Sequence, residues 1–187
     1  MRMRRIVLAT LLLFGAANSQ QSTAAPAAID DDTRKLVLAN FGSAFTPAPP
    51  PGKNTAVLFT ADFDGDGQED AVIIAQTKEP FAKAVELDYK VIDPYDEYFG
   101  WGNARDTARF AEKDDRARVL LIVHSWRAAV PKAKFVVINV PFDHLAVESV
   151  SLKKKQRTVI SASEEDSMRS YLYWDGKKWR FAPGPME

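Results

Sequence analysis

The chain has 187 residues, the length of a single domain, since domains run to about 100–200 residues. It carries 25 basic and 25 acidic residues and no cysteine. Balanced charge leaves no electrostatic footprint for nucleic acid or an anionic membrane, and the lack of cysteine excludes a disulfide framework, a thiol nucleophile and Cys-ligated zinc.

Residues 1–19 read as a signal peptide. Arg2, Arg4 and Arg5 form a basic start, an apolar run follows over 6–17, and Ala17-Asn18-Ser19 has the small-x-small pattern of a cleavage site. The apolar run is shorter than the about 20 residues needed to span a bilayer. The expected mature chain therefore begins at Gln20, is periplasmic or secreted, and has no transmembrane segment. Loss of three arginines and no acid moves its net charge from zero to −3. Residues 20–29 (QQSTAAPAAI) form a low-complexity, flexible leader, and 30–187 form one domain.

Asp30-Asp31-Asp32 followed by TRKLVLANFG predicts a short helix. Acids stand at its positive end, Leu36, Val37 and Phe41 fall on one face, and Gly42 stops it. The proline-rich stretch 45–52 (FTPAPPPG) is a connection. Apolar runs at 56–60 and 71–75 have strand length and bracket an acidic stretch. Alternation through Val85, Leu87, Tyr89 and Val91 suggests a further strand, and the charged segment 104–118 suggests a helix. Strand signals return at 119–123, 134–140, 147–152, 158–163 and 169–174 with turn-sized gaps, and Lys153-Lys154-Lys155 reads as a solvated strand end. The final pair is a hairpin that turns at Asp175-Gly176, with Trp174 and Trp179 as a cross-strand pair. Short links between successive strands imply an α+β domain, mainly an antiparallel meander with one or two short helices.

The acidic stretch, ADFDGDGQEDAVII at 61–74, holds the most specific pattern. Counting from Asp62, carboxylates fall at loop positions one, three, five and nine: Asp62, Asp64, Asp66 and Asp70. Gln68 at position seven offers its backbone carbonyl, and Gly65 and Gly67 permit a tight wrap. Ca²⁺ takes about 6–8 hard oxygen ligands, which such a loop gathers around one ion. An EF-hand is excluded, because it needs a bidentate Glu at position twelve and flanking helices, whereas Ile73 stands there between strands.

The pattern D-x-D-x-D-G-x-x-D between strands resembles the calcium loop of FG-GAP/VCBS repeats, known from integrin-type β-propellers and many exported bacterial proteins. The likeness covers about residues 56–75. It implies Asp62, Asp64, Asp66 and Asp70 as side-chain ligands and Gln68 as a carbonyl ligand. A propeller needs at least about four blades of four strands, and a single loop in this length of chain does not supply them. The C-terminal half (LLIVHSW, KFVVINV, YLYWDGKKW) is similar to small exported bacterial proteins that pair such a loop with a WDG hairpin; that likeness implies no activity.

Other residues carry weaker signals. His124, His144 and Asp143 lack metal-ligand spacing, and Ser125 and Ser161 lack a nucleophile elbow. Glu164-Glu165-Asp166 reads as a charged turn. Tyr95, Tyr98, Phe99 and Trp101 crowd a segment bounded by Pro94, Gly100 and Gly102. Those rings suit stacking on a sugar or anchoring a protein partner, or else folding back over the sheet. The expectation is thus an exported, non-enzymatic calcium-binding domain with the ion in a structural role and an unidentified protein or carbohydrate partner. The alternative is a periplasmic hydrolase or carbohydrate-active protein, which predicts a pocket joining a histidine, carboxylates and the aromatic segment.

Overall fold

The computed structural model describes residues 29–50, 56–101, 118–152, 154–164 and 169–184. The expected signal peptide, nearly all of the leader, the charged stretch 104–117 and Glu165-Asp166 lie outside the described residues. Among the described residues, no helix is long and apolar enough to cross a membrane.

Among the described residues, two sheets and two short helices make up the α+β architecture, with no closed barrel or propeller. Helix α1, Asp31–Phe41, is capped by the Asp30 carboxylate, which accepts from the Thr33 N–H at 2.5 Å, and ends at Gly42. It buries Val37 and Phe41. Phe41 joins Phe45 and Tyr89 in a trio with ring centroids 5.5–5.9 Å apart.

The first sheet contains β1 (Thr46–Pro47), β2 (Leu58–Ala61), β3 (Asp70–Gln76), β4 (Lys90–Ile92), β5 (Arg118–His124) and β6 (Ala133–Val137). Its spatial order is β1-β3-β5-β6-β4, with β2 also on β3. Strands β3 and β5 are central and buried along almost their whole length. That burial accounts for their unbroken apolar runs, since a strand covered on both faces has no polar side to alternate with.

The second sheet is an antiparallel meander of β7 (His144–Leu152), β8 (Lys155–Ser163), β9 (Ser170–Trp174) and β10 (Trp179–Pro183). From Val147 onward strand β7 alternates exposed and half-buried residues, the pattern of a strand with one wet face. Leu152 pairs with Lys155, so Lys155 opens β8 and Lys154 just before it turns at φ +65°, while Lys153 lies outside the described residues.

Two local expectations change. The alternating stretch from Val85 to Val91 forms a strand only over Lys90–Ile92. Residues 80–88 wind through turns in which the N–H groups of Ala82, Ala84 and Leu87 donate to carbonyls three or four residues back, and Val85 is 97% exposed. Local bonds consume the donors that a ladder would need. In addition, β4 runs parallel to β6, so the first sheet is not a pure antiparallel meander.

The C-terminal hairpin forms as expected. Trp174 lies opposite Trp179 with centroids 6.1 Å apart. Asp175 Oδ1 accepts from the N–H groups of Lys177 and Lys178 at 2.9 and 3.0 Å, and Gly176 has φ +102°. A β-branched side chain at that angle is strained by about 1–3 kcal/mol. Gly176→Val is expected to lower stability by that amount in chemical denaturation, and an unchanged midpoint would contradict the turn.

Candidate metal loop and its buried anchor

The acidic loop connects β2 to β3, and Ala61 pairs with Asp70 as the last rung before it opens. Asp62 shapes the turn. Its Oδ1 accepts from Gly65 and Asp66 N–H at 2.8 and 3.2 Å, and its Oδ2 accepts from Gly67 N–H at 3.0 Å. Asp66 Oδ1 accepts from Gln68 N–H at 2.8 Å. Gly65 and Gly67 adopt φ +78° and +84°, the left-handed region in which a side chain is rarely tolerated. One carboxylate oxygen from each of Asp62, Asp64 and Asp66 lies within 4.8 Å of the others. Gln68 is exposed at the rim.

Asp70 behaves differently from the outer acids. It is 0% exposed. Its Oδ2 accepts from Phe63 and Asp64 N–H at 3.0 and 3.3 Å, and its Oδ1 accepts from Ser125 N–H at 2.8 Å. The carboxylate therefore clamps the start of the loop to the end of β5. Burial pushes its pKa up, against the pull of the Ser125 amide, His124 and the Phe63 amide.

Between these acids, Phe63 turns inward against Trp179, with ring centroids 5.9 Å apart, while Asp64 faces a histidine from β5. The Asp64 side chain is 2% exposed, and its Oδ2 lies 3.0 Å from His124 Nδ1 and 2.8 Å from Lys132 Nζ. His124 is itself buried, and its Nε2 lies 3.2 Å from Trp179 Nε1. An indole N–H only donates, so Nε2 is the acceptor and Nδ1 carries the proton given to Asp64. The His124 ring also packs on Phe135 of β6 and Trp174 of β9, at 5.4 and 5.0 Å. His124 thus sits where the two sheets meet and joins the loop to both.

Lys132, at the end of the β5–β6 connection, places its ammonium 2.7 Å from Asp66 Oδ2 as well. That bond is the main reason the Asp66 carboxyl lies below its ordinary range. On the outer side, Glu69 Oε2 accepts from Trp126 Nε1 at 3.2 Å and from Arg127 Nε at 2.6 Å, and Arg127 lies over the Trp126 ring. His124, Lys132 and Glu69 escaped the sequence reading as members of this cluster. The register that brings Ala71 opposite Val123 is what puts the end of β5 beside the loop, and no local pattern announces it.

The donor set is compatible with a hard cation. It is built of carboxylate oxygens, and Asp62 spends only one lone pair of Oδ2 on the Gly67 N–H. Asp64 Oδ2 already serves two donors.

The aromatic segment forms a separate feature. Helix α2, Pro94–Phe99, begins at Asp93, whose side chain accepts from Asp96 N–H and from Asn139 Nδ2, and ends at Gly100. Tyr95 and Tyr98 lean on Phe181 of β10 at 5.0 and 5.5 Å, and Phe99 stacks on Trp101 at 4.9 Å. The segment does fold onto the second sheet, yet Tyr98, Phe99 and Trp101 stay exposed. Beside it lies a shallow cavity of about 190 Å³ walled by Tyr95, Phe99 and Phe181, with Glu164 and Arg169 among its polar lining. Neither histidine lines it: His124 is sealed between the sheets, and His144 is exposed on β7. Asp143 instead lies 3.5 Å from Arg118.

No protein family, curated protein or solved structure matches the chain.

Proposed function

We propose that this chain is an exported calcium-binding domain in which the ion has a structural role, and that it serves as a binding or structural module. The observation that carries this reading is the convergence of the Asp62, Asp64 and Asp66 carboxylates within 4.8 Å on a loop wrapped by two left-handed glycines. Three like charges at such range repel unless cations offset them, and the single ammonium of Lys132, seated on Asp64 and Asp66, balances only part of that charge. In this reading those carboxylates and the Gln68 carbonyl supply oxygens, and Asp70, placed among the ligands by the sequence pattern, supports the loop from its inner side. A structural role follows from placement. The loop joins β2 to the buried β3, and its Asp64 is anchored through His124 between the sheets.

An ion that binds only the native state stabilises it by RT ln(1 + [L]/Kd), about 2.7 kcal/mol at a hundredfold excess over Kd. Extracellular calcium modules bind at roughly 10⁻⁴–10⁻³ M, so the thermal midpoint is expected to rise in millimolar Ca²⁺ and fall back in EGTA. Asp62→Asn keeps an acceptor for the Gly65 and Asp66 amides but removes a charge, and should lose most of that shift while remaining folded. A wild-type midpoint that is the same in Ca²⁺ and EGTA would reject the calcium reading.

A further inference from the structure

We infer that Lys132 is a tethered counter-ion for the 62–70 loop, a built-in ammonium that Ca²⁺ must displace in order to bind. The inference rests on the calcium reading above and concerns how that same loop is regulated. Its ground is a cationic group already seated on the carboxylates, with Lys132 Nζ 2.8 Å from Asp64 Oδ2 and 2.7 Å from Asp66 Oδ2. The base of the side chain is fixed, because the Lys132 N–H donates to the His124 carbonyl at 3.0 Å. The stem is not confined, since the side chain is 53% exposed and can swing into solvent without opening the core.

Displacement follows from charge together with lone pairs: Asp64 Oδ1, which accepts from the Asp66 N–H at 3.1 Å, keeps a site, but an ammonium seated on Asp64 and Asp66 repels a divalent cation brought to the same carboxylates. Asp64 Oδ2 accepts from both the ammonium and His124 Nδ1, which fills its two acceptor sites. The His124 bond is buried and held from behind by Trp179, so the lysine is the partner that can leave. Ammonium and Ca²⁺ therefore exclude each other at Asp64 Oδ2. Without calcium the lysine keeps the loop closed and partly neutralised. With calcium, binding first has to release the lysine, so the apparent Kd is the intrinsic Kd divided by the fraction of loops from which Lys132 has swung away.

Two substitutions test this by calorimetric titration of the purified protein with CaCl₂ and by thermal unfolding in EGTA. Lys132→Met removes the competitor and keeps the stem. It should bind Ca²⁺ about tenfold more tightly if the ammonium holds the loop nine-tenths of the time. It should also melt below wild type in EGTA, with the gap closing in millimolar Ca²⁺. Lys132→Arg places a planar fork against two carboxylates, a stronger partner than an ammonium, and should bind Ca²⁺ more weakly than wild type. Equal calcium affinity in wild type and Lys132→Met would overturn the tethered counter-ion and leave the calcium reading standing. If neither bound Ca²⁺, both would fall. Should Lys132→Met fail to fold in either condition, Lys132→Arg decides: weaker binding supports the inference, and unchanged binding overturns it.

Discussion

Asp70→Ala is expected to destabilise the fold by roughly 3–5 kcal/mol, the scale reached when a buried charge network loses its central member. The side chain is wholly buried, and it is the acceptor for three backbone N–H groups, those of Phe63, Asp64 and Ser125. Each orphaned buried donor costs about 1–3 kcal/mol, and partial relaxation keeps the sum below the simple total. Asp70→Asn should cost less, because its amide oxygen can serve one side of the clamp while its NH₂ faces donors on the other. The loss should be the same in Ca²⁺ and in EGTA, since the backbone bonds do not depend on an ion. Urea denaturation of the three proteins in both conditions measures it. A loss of less than about 1 kcal/mol that appears only with calcium present would mean that Asp70 is a ligand and not a clamp.

The second large effect is expected at His124. Replacement by Leu keeps apolar contact with Phe135, Trp174 and Trp179 but removes both ring nitrogens. The Trp179 Nε1–H then lacks its acceptor in the interior, and Asp64 loses one of its two side-chain donors. A buried unsatisfied donor together with a weakened charge-assisted bond gives an expected loss of about 2–4 kcal/mol. Trp179→Phe alone should also destabilise, because it leaves His124 Nε2 unpaired in a dry site. The double substitution should recover part of the combined loss, since replacing both partners of a hydrogen bond by apolar groups is far milder than removing one. A coupling of roughly 0.5–3 kcal/mol in the double-mutant cycle is the expected reading. Strict additivity would show that the indole and imidazole do not interact.

Both predictions depend on long-range placement, which separates what sequence alone determined from what folding decided. Features governed by neighbours in the chain were legible. The DFDGDGQED loop, the Asp175-Gly176 turn and the acidic start of the first helix at Asp30–Asp32 depend on backbone angles and short side-chain reach within a few residues. Apart from β1, which lies in the proline-rich stretch read as a connection, most strands of both sheets were legible for the same reason, because period-two alternation or an unbroken apolar run is a local record of which faces are covered. The same local rule failed at Val85, where alternation survived in a segment whose donors are spent on its own turns. Only tertiary structure paired β4 in parallel with β6 and set β5 beside β3. That pairing carried His124 and Lys132 across 60 and 68 positions to Asp64. It also divided four similar aspartates: Asp62 and Asp66 lie on the outer side, Asp64 is turned in against His124, and Asp70 holds the loop from within. Aspartates at alternating positions look alike in sequence. Their difference lies in which backbone amides fold around each carboxylate, and those of Asp70 come partly from Ser125, 55 residues away.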